Sequence, residues 1–277
     1  MNTIGKKLAA VAITLFVAVP AYAGKGGSNI AIQQAVQSGS QGAIIAEVER
    51  TEGLMCEQCI QTVTNLTEDS RYAVREVAAW WISKRPVLRE TMAQGFIGDL
   101  AGGDSIRVRN AADFLGSARY LKALPAMRAA IGNSGLSSEA KLAIVRAVQV
   151  LAHPGGNPVL VTAMRDSDPA VRAAAVMAWR DILRQTSATE VEPSLTDSDA
   201  NVRAQAAAVL GAFNDAAAVA TLEQLVVNDS SAIVRRNAAW ALGKLGSASS
   251  HQALLTATHD SSGLVRQYAS AALTTLK

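Results

Sequence analysis

The chain has 277 residues, of which 49% are hydrophobic and 4% aromatic, and its 26 Lys and Arg against 23 Asp and Glu give a formal net charge of +3. No cluster of basic residues with stacking aromatics accompanies that charge, which excludes a nucleic-acid footprint. By length alone the chain would form one large globular domain or two smaller ones.

Residues 1–23 have the pattern of an export segment: Lys6 and Lys7 supply the positive end, Leu8 to Val19 the apolar stretch, and Ala21-Tyr22-Ala23 the small-residue cleavage site before Gly24. The apolar stretch falls short of the roughly 20 residues needed to span a bilayer, so cleavage and release into a periplasmic or secreted location are expected. Losing Lys6 and Lys7 brings the net charge to about +1. Elsewhere Arg, Asp or Asn interrupts the Ala-rich windows, and no membrane insertion is expected after cleavage. Gly24 to Gly42 is expected to be a flexible leader with one short helical run, Ile30 to Gln37. With the helical run Ile44 to Glu52 it makes a leader and N-terminal cap over residues 24–53.

Gly53 breaks that run ahead of Cys56-Glu57-Gln58-Cys59, the only cysteines of the chain. Haem attachment needs His after the second Cys, where Ile60 stands. A tetrahedral zinc site needs two further ligands, and His153, His251 and His259 lie far along the chain. No metal is therefore expected. The pair remains as a structural disulfide in an oxidising compartment or as a redox dithiol whose thiol is activated in the first turn of a helix.

From residue 54 to 277 the chain repeats. Asp166 to Arg172, Asp197 to Arg203, Asp229 to Arg235 and Asp260 to Arg266 are four copies of one phrase, with valines at 171, 202, 234 and 265. A period near 31 residues marks stacked units rather than a closed domain. Weaker copies follow upstream around Val74, Val108 and Val145, giving about seven stacked helical hairpins and an all-α solenoid. Val145 to Val171 is short at 26 residues, which predicts a shortened first helix or a trimmed turn. Residues four after the valine are Ala78, Ala112, Ala175, Ala206, Ala238 and Ala269, and Leu210, Leu242 and Leu273 stand eight after. Spacings of 0, 4 and 8 put these on one packing stripe. Asp168, Asp199, Ser231 and Ser262, three before the valine, are expected N-caps, with Pro169 in the first helical position. Ala217 to Val227, Pro158 to Met164 and Leu121 to Ile131 are the preceding helices, and Gly246 and Gly132 are expected helix C-terminal stops.

The pattern Asp-x-x-x-x-Val-Arg-x-x-Ala-x-x-x-Leu-Gly, nearly complete over Asp197 to Gly211 and Asp229 to Gly243, resembles the short bacterial HEAT repeat of the type also found in phycobilisome-lyase HEAT-like proteins. The resemblance implies a polar ladder between repeats, made by Asp69, Asp104, Asp166, Asp197, Asp229 and Asp260 with Arg75, Arg109, Arg172, Arg203, Arg235 and Arg266. Arg146 lacks its Asp, so the repeat around it, residues 137–152, is the expected weak joint.

No Ser or Cys nucleophile comes with a base and orienting acid, and neither catalytic residue nor cofactor is expected. The residues two after the valine, Glu76, Asn110, Arg236 and Gln267, are expected to point outward, and Trp80 and Trp240 share the position six after it. Trp is enriched at interface hot spots. Together these are candidate contacts for a protein partner on a concave face of stacked second helices. The alternative is a thiol-dependent accessory factor in which Cys56 and Cys59 exchange disulfides with a bound client. Bilin-type lyase chemistry, implied by the resemblance alone, conflicts with export.

Overall fold

A computed structural model describes residues 27–54 and 56–276; the expected export segment, residues 1–23, lies outside the described residues. These residues form fifteen α-helices and no strand. In chain order they are α1 Asn29–Ser38, α2 Gln41–Arg50, α3 Glu57–Leu66, α4 Tyr72–Ser83, α5 Pro86–Ala101, α6 Ser105–Ser117, α7 Leu124–Ile131, α8 Ser138–Leu151, α9 Asn157–Ala163, α10 Pro169–Trp179, α11 Ala200–Phe213, α12 Val219–Asn228, α13 Ala232–Leu245, α14 His251–Ala257 and α15 Gly263–Leu273. A 3₁₀ helix, Thr189–Thr196, stands where the first helix before α11 belongs. None of these helices is long and apolar enough to cross a membrane.

The helices pair into hairpins that stack in one line. The second helices α2, α4, α6, α8, α10, α11, α13 and α15 form one continuous row, each packed on the next, with the first helices beside them. That gives eight hairpins, one more than the repeated phrase discloses. The extra one is α1 and α2: most of the expected flexible leader is helical, capped by Ser28 and Ser40, with Ile32 and Ile44 in the core.

The packing stripe explains why no hairpin folds alone. Val74, Val108, Val171, Val202, Val234 and Val265 are fully buried, as are the alanines four residues on, and this apolar area is covered only when neighbours stack. Small residues then let the row close up. A Cβ added at Gly116, Gly211 or Gly243 would stand 2.7, 2.7 and 2.8 Å from atoms of Ala147, Ala241 and Ala272 of the next second helix. Asp168 and Asp199 accept first-turn amides as N-caps. Ser231 and Ser262 do not; their amides, like those of Asp168 and Asp199, are bound by the acid two residues earlier in the turn, here Asp229 and Asp260.

The short Val145 spacing has a different origin from a trimmed helix. α8 starts at its N-cap Ser137, and the caps of α10 and α11 stand three residues before their anchor valines, so the anchor of α8 is Ala140 rather than Val145. Lys141 then occupies the arginine position, and its Nζ pairs with Asp166 at 2.6 Å across the same 25-residue separation as Arg172 and Asp197. Ala140 lies 31 residues before Val171, so the period is regular. The repeat is masked because Ala-Lys replaces Val-Arg.

The irregular joint lies further on, between α10 and α11. Arg184 takes a left-handed conformation at φ 60°, and the following 3₁₀ helix contains Pro193, which cannot donate a backbone hydrogen bond. Amide hydrogen exchange is therefore expected to show its lowest internal protection over residues 180–196 rather than over 137–152. A minimum within α8, or uniform protection along the stack, would contradict this.

Candidate functional site

The N-terminal half of the second-helix row carries a recess, a cavity of about 570 Å³. Ile45 and Glu49 come from α2, Glu76, Val77 and Trp80 from α4, and Arg119 from the turn after α6. Glu76 accepts a hydrogen bond from Tyr72 Oη at 3.2 Å, and Trp80 is half-buried with Lys84 Nζ 5.3 Å from its ring centre. Arg119, held at φ 54°, donates to the carbonyl of Val150 in the last turn of α8.

Beside this groove lies a buried charge cluster. Asp113 is wholly enclosed and takes Arg75 at 2.6 Å on one carboxylate oxygen and Arg146 at 2.6 Å on the other. The Arg146 guanidinium also stacks over the Tyr72 ring at 4.3 Å. Burial, and next the negative Glu76, raise the Tyr72 phenol above its ordinary value, keeping it a donor. Asp113 occupies a seam column where other second helices have Ala79, Val176, Ala207 and Ala239. A lone acid in an apolar column was the sequence signal for this cluster.

The candidate contact residues divide. Glu76 and Trp80 share the groove. Trp240 lines a second recess of about 220 Å³ with Lys244 and Tyr268 near the C-terminal end. Gln267 is exposed but lines neither recess, and Arg236 is half-buried, bonded to Asn237 Oδ1. Asn110 does not point outward: it is buried, accepting from both Nε and Nη2 of Arg109, beside a recess of about 490 Å³ that it lines with Phe96 and Asp99 of α5. Trp81 and Trp179 are core residues whose indole N–H groups bond Thr51 Oγ1 and the Ser187 carbonyl.

The polar ladder is continuous in the C-terminal half. Arg172, Arg203 and Arg235 each bind both carboxylate oxygens of the next turn, Asp197, Asp229 and Asp260, at 2.6–2.9 Å. Each also donates to two carbonyls of its own turn, as does Arg266, which ends the row. Upstream the ladder breaks. Asp69 pairs with Arg71, Asp104 serves as the N-cap of α6, and Arg75 donates to the Asp69 and Ser70 carbonyls of its own turn but reaches Asp113 rather than Asp104. Arg109 reaches the exposed Glu139 instead of an Asp.

The Arg172 and Arg235 hydrogen bonds hold Asp197 and Asp260 below the usual carboxylate range. At Asp229 burial acts upward, but the bonds from Arg203 and the Ser231 amide prevail and the net shift is also downward. A depressed folded-state pKa contributes stability that is complete above the unfolded value, near 3.8, and is lost as pH falls below it. Acid unfolding is thus expected to begin below about pH 4, and Arg203→Gln should weaken that acid dependence. An unchanged acid limb in the variant would show the rung to be energetically idle.

Cys56 is the N-cap of α3 and Cys59 lies in its first turn, buried, with the sulfurs 1.99 Å apart. No group of three or more His, Cys, Asp or Glu among the described residues is placed to hold a metal.

A line of helical hairpins with a shared seam, a polar edge and recesses on one face is a helical-repeat protein. Residues 157–186 match the HEAT repeat and residues 188–274 match HEAT repeats, so the C-terminal part of the chain is similar to HEAT repeats. No curated protein sequence matches it. The crystal structure of YibA from Escherichia coli is similar in fold, with a TM-score of 0.54 at 14% identity over 88% of this chain and 91% of that one. Human deoxyhypusine hydroxylase gives a TM-score of 0.39 at 18% identity over 89% and 96%, and an engineered protein gives 0.41 at 21% over 78% and 96%.

Proposed function

We propose that the protein is an exported scaffold that holds a protein partner on the face made by its second helices. Export rests on the pattern of residues 1–23. The observation that carries the binding reading is the groove at Trp80, a concave, mixed apolar and charged recess on a rigid helical row. HEAT repeats commonly mediate protein–protein interactions, which supports the same reading. The Cys56 and Cys59 pair fits a local staple at the start of α3, because a bridge between residues three apart restrains the unfolded chain little.

Affinity capture from the native exported fraction tests this with the wild type, Trp80→Ala, Trp240→Ala and Cys59→Ser. One protein should be retained by the wild type and lost from Trp80→Ala, whose melt stays close to wild type. Loss from Cys59→Ser alone would favour the thiol-dependent function, and identical captures by all four would remove the groove from the account.

A further inference from the structure

We propose that the Trp80 groove takes a cationic side chain, Arg or Lys, presented by an apolar segment of the partner. This rests on the groove being the partner contact. Charge accounting around the groove carries it. On α2 and the turn after it, Glu47 pairs with Arg50 and Glu52 pairs with Lys84 at 3.3 Å. Glu49 and Glu76 line the groove and have no cation within salt-bridge distance among the described residues.

Of the two cations of the groove wall, one has a carboxylate partner. Lys84 is held by Glu52 at 3.3 Å and lies 5.3 Å from the Trp80 ring centre. Arg119 is turned onto the Val150 carbonyl at the C-terminal end of α8, where the helix dipole favours positive charge. Arg146, behind the Tyr72 ring, directs its guanidinium to Asp113. The groove therefore offers two unpaired carboxylates beside a half-buried indole.

Each part suits a long cationic side chain. Trp is the best aromatic face for a cation, a carboxylate gives the charge-assisted bond, and the apolar walls Ile45 and Val77 accept the methylene stem. An acidic partner segment would set its charge against Glu49 and Glu76, and could reach only Arg119, which is turned onto the Val150 carbonyl.

The test uses three blocked peptides of identical apolar sequence with Arg, Gln or Glu at the centre. They are titrated into the full mature protein while the indole N–H signals of its 4 tryptophans are followed. Trp80 is assigned by the signal lost in Trp80→Phe. The Arg peptide should shift Trp80 and bind about tenfold more tightly than the Gln peptide. In the Glu49→Gln/Glu76→Gln double variant, whose melt is checked against wild type, that advantage should vanish while the Gln peptide binds as before. Equal binding of the Arg and Gln peptides, or preference for the Glu peptide, overturns the cationic inference and leaves the groove standing. If no peptide moves the Trp80 signal, the groove itself is wrong and this inference falls with it.

Discussion

Asp113→Ala is expected to cost about 3–5 kcal/mol, more than removing any acid of the C-terminal ladder, because it strands the buried Arg75 guanidinium and takes the carboxylate from the partly exposed Arg146. Arg75 is itself 3% exposed and has only the carbonyls of Asp69 and Ser70 to fall back on. Asp197→Ala removes one partner of a pair near the surface and should cost about 1 kcal/mol. Thermal melts of the two variants make the comparison, and Asp113→Leu with Arg75→Met should recover part of the loss, since apolar replacement of a buried pair is often tolerated. Equal melts for Asp113→Ala and Asp197→Ala would mean that the enclosed cluster is no more costly to break than a ladder rung.

Ala238→Asp is expected to be of similar severity, about 4 kcal/mol. Ala238 is fully buried in the middle of the α13 stripe, where a carboxylate would find neither room nor a partner. Arg236→Ala, two residues earlier, removes a half-buried side chain whose bonds are to the adjacent Asn237 and should cost about 1 kcal/mol. Melts with similar losses would show that the helical phase assigned to α13 is wrong.

The repeat was legible because it depends on short-range rules that recur: a turn acid, a valine anchor, an alanine four on and a glycine where helices touch. Where one copy used different residues for the same task, the pattern slipped. Ala140 and Lys141 do the work of Val171 and Arg172, but Val145 and Arg146 stand nearby as a decoy, five residues out of register. The two N-terminal helical runs were read as a leader and cap rather than as a further hairpin because α2 has no turn acid or Val-Arg pair, only the buried Ile44 and Val48. The groove was half visible. Trp80 and Glu76 stand in one helix and could be singled out, whereas Glu49 enters from a neighbouring hairpin, a relation set by stacking rather than by sequence spacing. Asn110 misled for the same reason: a position that is exposed at Glu76 and Gln267 is buried in α6.

The uniformity of the ladder makes the C-terminal half a set of interchangeable units. Arg172 meets Asp197 as Arg203 meets Asp229 and Arg235 meets Asp260, with separations of 25 or 26 residues. Excising residues 203–234 would join the segment ending in Val202 to Arg235 in phase, and the surviving glycine and alanine contacts would meet like partners. Duplication or loss of a whole unit can therefore lengthen or shorten the protein without inventing an interface. The N-terminal half has no such freedom, since Arg75, Asp113 and Arg146 come from three successive hairpins and each is required by the others. Lineages are expected to vary in length after α8, while the groove at Trp80 stays locked in place.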